Sequence, residues 1–199
     1  MSYPPPYYTD DNPKFARRIM REHGFALLVV EGLAATHLLL LFSDEGEQGA
    51  LYGHVARSNP VCERLNGAPP ALAVFSGPHA YVSATLYDDP SVNVPTWNYA
   101  SVQVRGHLSA VADAALPSHL TELAQAYEGD AGWSVSDAPD YVSRISRAIV
   151  AVRLEINSTQ AFRKMSGNKS PAMRKRIIDA ARARGEDAFA NEMETLRHD

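Results

Sequence analysis

The chain has 199 residues, 45% of them apolar and 21% charged, with a formal net charge of −4. That length and balance fit one substantial hydrophobic core and exclude a disordered polymer, and the acidic balance gives no overall attraction to nucleic acid, so any such binding has to come from a local basic patch. The longest apolar stretches, Phe25 to Val30 and Leu38 to Phe42, fall far short of the ~20 residues a membrane-spanning helix needs. The opening Met1 to Tyr8 lacks the basic-then-apolar order of a secretory signal, and Cys62, the single cysteine, forms no intrachain disulfide. A cytoplasmic protein with no membrane partner is expected.

The Tyr- and Pro-rich opening reads as an extended arm, after which Asp10 to Asn12 cap a short helix over 13–23 that starts on Pro13. Phe25 to Glu31 and Ala35 to Phe42 read as a hairpin turned at Gly32. Leu51 to Ala56 continues the sheet and breaks at Asn59-Pro60, which leaves Arg57 at a strand end. Ala71 to Phe75 and Ala80 to Ser83 are expected as paired strands around a turn at Gly77-Pro78, and residues 88–95 as a loop that delivers Trp97 and Tyr99. From Tyr99 to Val111 a strand alternates, with Val102, Val104 and Leu108 on a core face and Gln103, Arg105 and His107 on the other. Helices are expected over 117–127 and 139–147, the second with Asp137 available as a cap.

Val150, Val152, Leu154 and Ile156 then form the period-two row of a half-buried strand. Ser170-Pro171 opens a last helix with Met173, Ile177, Ile178 and Ala181 on one side and Arg174, Lys175, Arg182 and Arg184 largely on the other, interrupted by Gly185. About seven mostly antiparallel strands with helices concentrated late predict an α+β fold whose sheet closes as a barrel. The expected division is a barrel domain over 1–160 and a helical C-terminal extension over 161–199 packed on it.

Three motifs concentrate the chemistry: Gly53-His54-Val55-Ala56-Arg57-Ser58-Asn59-Pro60, Phe75-Ser76-Gly77-Pro78-His79-Ala80-Tyr81-Val82-Ser83, and Val94-Pro95-Thr96-Trp97-Asn98-Tyr99. A phosphomonoester carries close to two negative charges, and Arg57, Ser58 and the Asn59 amide offer a cation and donors where a strand ends. The same residues serve equally as a surface arginine before a proline stop. Thr36 and His37 interrupt an apolar strand and need partners if buried, from backbone or from a ligand. Trp97 and Tyr99 share a strand face and suit either a platform for a planar ring or ordinary core, and Gln103, further along that face, carries a donor and an acceptor.

Neither HExxH, a cysteine cluster nor Gly-x-Ser-x-Gly is present, and Cys62 has no base beside it, so no metal and no side-chain nucleophile are expected. Any chemistry is expected to be carried by a bound cofactor that the protein positions. Arg163, Lys164, Lys169, Arg174, Lys175 and Arg176 lie within fourteen residues, a run that can contact DNA, contribute to a cofactor phosphate site or solvate a helix face.

Together the three motifs, within a match that runs from the Tyr-Pro arm through the final helix, resemble the PaiB family, described as FMN-binding negative transcriptional regulators. The resemblance implies an FMN-binding split barrel, similar to pyridoxamine phosphate oxidases and flavin reductases, that works as a homodimer with flavin between subunits. In that picture Arg57 and Ser58 look like phosphate contacts and Gln103 is similar to the flavin-edge glutamine of the oxidases. The candidate cofactor-binding set is Thr36, His37, Arg57, Ser58, Asn59, Trp97, Tyr99, Gln103 and Lys164. The C-terminal basic run is the candidate DNA contact. Leu86 stands where the family pattern has tryptophan, and Gly167 where it has glutamine. Two further readings stay open: a flavin-dependent oxidoreductase of the reductase or oxidase type, and a flavin-free barrel that binds another anion or a protein partner.

Overall fold

The structure, a computed structural model, describes residues 4–196. Asn12 starts the first helix, α1 (Pro13–Glu22): its Oδ1 accepts the Lys14 amide at 3.0 Å, and Pro13 occupies the first turn, where a missing N–H has no consequence. The strands are β1 (Phe25–Val30), β2 (Ala34–Leu39), β3 (Leu41–Ser43), β4 (Ala50–Ala56), β5 (Pro70–Val82), β6 (Thr96–Ala110) and β7 (Ile149–Lys164). They form a seven-stranded sheet in the order β2-β1-β5-β6-β7-β4-β3. The helices α2 (Leu116–Glu128), α3 (Pro139–Ser146), α4 (Pro171–Ala183) and α5 (Asp187–Glu194) follow late in the chain.

The first hairpin pairs Phe25 with Leu39 and Val30 with Ala34, turning through positive φ at Gly32 and Leu33. β1 also pairs antiparallel with β5, and β4 with β3 and with β7, from Ala50 opposite Glu155 to Ala56 opposite Ile149. Alternation along β6 is as expected, since Val102, Val104 and Leu108 are fully buried while Arg105 and His107 are exposed.

Four local expectations are corrected. β5 runs unbroken through Ser76-Gly77-Pro78, where two strands and a turn were expected. Gly77 serves close approach there instead of turning, because a Cβ on it would lie 3.1 Å from the Ala100 Cβ of β6. The segment from Ala35 to Phe42 divides at Leu40 into β2 and β3, and the Leu40 amide donates to the Gly24 carbonyl at 2.9 Å, in register with the hairpin. Asp137 caps no part of α3; its carboxylate accepts the Ser134 amide at 2.7 Å in a capping box one turn earlier. Arg174, expected on the outer side of α4, is buried among its core residues, 5% exposed, and donates to the Met193 carbonyl at 2.7 Å.

Contacts divide the chain into two compact units, one comprising Met1–Glu22, Ser76–Val102 and Gln160–Asp199, the other His23–Phe75 and Gln103–Thr159. The first buries Ile19, Met165, Ile177, Phe189 and Met193 around an ionic centre. In that centre Glu192, 3% exposed, accepts from Arg18 at 2.6 Å and from Arg163 Nε at 3.1 Å, and Arg163 also reaches Asp10 at 3.0 Å. The second buries Leu28, Leu51, Val104, Leu108, Val152 and Leu154. Gly106 belongs to this unit, and any Cβ there would overlap the Glu155 carbonyl oxygen of β7. Among the described residues no helix is long and apolar enough to cross a membrane.

Candidate functional site

In the second unit, the turn after β4 carries the residues singled out as an anion site, and β2 brings Thr36 against it. Asn59 begins a 3-10 turn, Pro60–Arg64, with its Oδ1 accepting the Val61 amide at 3.0 Å, which satisfies one of the donors that the start of a helical turn leaves unpaired. Its Nδ2 then donates to the Thr36 hydroxyl at 3.1 Å, so the half-buried threonine has the partner its position in an apolar strand demanded. His37 meets that demand differently: it is exposed and stacks on Phe25 at 5.5 Å between ring centroids.

Arg57 donates from Nε to the Arg147 carbonyl at 3.2 Å and from Nη2 to the Ile149 carbonyl at 3.1 Å. Its side chain stays 53% exposed, 3.8 Å from the still more exposed Asp113 carboxylate. Ser58 is exposed beside it. Gln103 is half-buried on the outward face of β6, its Oε1 accepting from Arg105 at 3.1 Å. Arg105 and His107 from that face line an open cleft of about 400 Å³ with Leu33, Leu72 and Asn157.

Trp97, Tyr99 and Lys164 belong to the first unit. Trp97 is 55% exposed on β6, with His79 at 5.9 Å and Tyr81 at 6.3 Å from β5, and Tyr99 lies 6.4 Å from the buried Phe162 ring. The first ring is therefore an exposed surface and the second leans on core. Sequence reading had named the motif holding His79 and Tyr81 without placing them beside Trp97, because cross-strand neighbours are set by register. Lys164 ends β7 and donates to the Thr96 hydroxyl at 2.6 Å.

The C-terminal basic run is largely engaged within the unit. Arg163 pairs with Asp10 and Glu192, Arg174 is buried, Lys175 pairs with Asp179 at 2.7 Å and Arg176 with Asp88.

A pairing of half-buried His54 with buried His119 was not foreseen in the sequence analysis. His54 Nδ1 lies 3.3 Å from Nε2 of His119, which is 7% exposed with no hydrogen-bond partner for its Nδ1 among the described residues. Burial, and secondarily the neighbouring His54, pushes His119 down to about 4, and burial lowers His54 as well. The two stand 65 positions apart on β4 and α2, so no local signal could have joined them. Burial raises the Cys62 thiol, which points to the Ala56 carbonyl at 3.4 Å, and so disfavours a thiolate. Among the described residues no group of three or more His, Cys, Asp or Glu could hold a metal ion.

Three comparisons bear on this geometry. A protein from Bacillus subtilis (strain 168), "Protease synthase and sporulation protein PAI 2", is 28% identical over 203 residues, spanning 99% of this chain and 97% of that one. The flavocytochrome Anf3 from Azotobacter vinelandii superposes with a TM-score of 0.61 at 12% identity, covering 79% of this chain and 69% of that one. The FAD and heme binding protein from Mycobacterium smegmatis gives 0.52 at 14% identity, covering 78% and 72%. At such identities the likeness to solved structures concerns the fold, and it bears out the expected α+β split barrel with late helices. The model of a family described as "Putative FMN-binding domain" matches residues 2–158. That match takes in all three motifs of the sequence analysis and the Thr36–Asn59 junction, and the chain therefore belongs to this FMN-binding domain family.

Proposed function

We propose that this chain binds FMN as a homodimer of the PaiB type, with the cofactor phosphate received by Arg57, Ser58, Asn59 and Thr36. The observation that carries this reading is the 3.1 Å hydrogen bond from Asn59 to Thr36, which joins a residue chosen for an anion to one chosen for its need of a polar partner, two positions along the chain from the half-exposed Arg57. A guanidinium presents five N–H donors. Two are committed to the carbonyls of residues 147 and 149, which orients the plane and leaves the rest of the fork for phosphate oxygens. The carboxylate of Asp113, 82% exposed and 3.8 Å away, is too well solvated to neutralise the cation. A doubly charged group that keeps part of its hydration fits such a donor-rich, open setting. Gln103 and His37 are the candidates within the same unit for the ring.

When bound, FMN supplies redox chemistry; the chain's own residues bind and orient it. The exposed cluster of Trp97, Tyr81 and His79 supports the dimer, because contiguous aromatic surface on a protein of this size is characteristic of interfaces. For the regulatory role implied by the family resemblance, Lys175 is the most accessible cation of the C-terminal run, its side chain 75% exposed.

Titration of FMN into the purified protein, followed by flavin fluorescence, tests the phosphate assignment. Arg57→Ala is expected to weaken FMN by about tenfold or more, the scale of a lost charged hydrogen bond, and to leave riboflavin, which has no phosphate, unchanged. Equal FMN affinity in wild type and variant overturns the role of Arg57, and absence of binding in both overturns the flavin reading.

A further inference from the structure

We propose that the cavity between the start of β6 and the end of β7 is a binding site for a small organic oxyanion, a phosphate or carboxylate carried on a flat ring, separate from the flavin phosphate site. The cavity measures about 290 Å³, the lower end of small-molecule sites. Two lysines line it. Lys164 Nζ donates to the Thr96 hydroxyl at 2.6 Å and stands 5.2 Å from the Tyr8 ring, and Lys169 Nζ donates to the Asn93 amide oxygen at 3.3 Å and stands 4.6 Å from the Tyr87 ring.

An ammonium has three donors, and here each commits one of them to a neutral oxygen. Among the described residues no carboxylate lines the cavity or forms an ion pair with either lysine. Burial lowers the Lys164 pKa, as expected of an ammonium taken from water without a counter-charge. An oxyanion in the space that both half-buried lysines line gives each of them the counter-charge it lacks there. Tyr8, Tyr87 and the apolar Val92 and Val94 supply flat and apolar walls, which select a ring behind the charge.

The turn that presents Lys169 is fixed in place. Ser166 takes a left-handed φ of +56°, a conformation unfavourable for a non-glycine residue, while only 8% exposed. Its hydroxyl accepts from Asn98, itself 1% exposed, at 2.8 Å, and its carbonyl accepts the Lys169 amide at 3.0 Å. A strained, buried residue held on both sides by hydrogen bonds gives the following lysine a fixed place over the cavity.

Calorimetric titration of the whole chain with phenyl phosphate and benzoate, with benzyl alcohol as the neutral control, tests the proposal whether or not flavin binds. Both anions are expected to bind saturably and the alcohol not at all. Lys169→Gln and Lys164→Gln should each weaken benzoate tenfold or more, Lys169→Arg should stay within a few-fold of wild type, and Arg57→Ala and added FMN should leave benzoate binding unchanged. The proposal is overturned by absence of benzoate binding, by its retention in both glutamine variants, by its loss in Arg57→Ala, or by its competitive displacement with FMN. If Lys164→Gln does not fold, the contrast between Lys169→Gln and Lys169→Arg decides.

Discussion

His119 sits on α2 with one ring nitrogen against His54 and the other without a partner among the described residues, an arrangement that favours the neutral imidazole. Its folded pKa of about 4 lies below the ordinary value near 6.5, so the unfolded chain takes up the proton more readily. The contribution to stability is complete above pH 6.5, declines as pH falls from there towards 4, and is level below that. At about 1.4 kcal/mol per pKa unit the loss amounts to about 3 kcal/mol. Urea midpoints measured between pH 7.5 and 4.5 are expected to fall accordingly in the wild type, and His119→Leu is expected to flatten that part of the profile. A wild-type profile level across this range would show that the pair is not buried in solution.

Helix α5 places a buried carboxylate in the first unit beside the buried Phe189 and Met193. Glu192 faces Arg18 of α1 and Arg163 of β7, the latter 13% exposed, and removing the acid leaves two guanidinium groups facing each other. Glu192→Gln is expected to cost about 3 kcal/mol in denaturant unfolding, the scale of a broken buried ion pair. Glu194→Gln, two residues on, removes a partner from the exposed pair with Arg182 and is expected to cost less than about 1 kcal/mol. Comparable losses in the two variants would assign α5 to apolar packing alone.

For the molecule as a whole, the proposed dimer and the exposed aromatic cluster stand or fall together. Sedimentation equilibrium is expected to give twice the chain mass of 21.7 kDa, and Trp97→Lys is expected to shift the population to monomer by placing a charge in a surface that has to desolvate. A monomeric wild type would leave the 55% exposed indole to another role.

Much of the fold was legible in the amino-acid order, because alternation of Val102, Val104 and Leu108, the Asn12-Pro13 and Ser170-Pro171 starts and the stop at Pro60 are short-range consequences of backbone geometry and capping. Of the candidate site, residue types were readable at Arg57, Ser58 and Asn59 for the same reason: a strand end with a cation and donors is visible locally. What depended on long-range packing was which residues meet. Strand register set Trp97 beside His79 and Tyr81, and the approach of β5 to β6 turned Gly77 from an expected bend into a tight contact. The burial of Arg174, the counter-charges on Arg163 and Arg176, and the His54–His119 pair arise from segments tens to more than a hundred positions apart. Local propensity carries no information about such distant partners, whereas the folded chain sets both their distance and the dielectric around them.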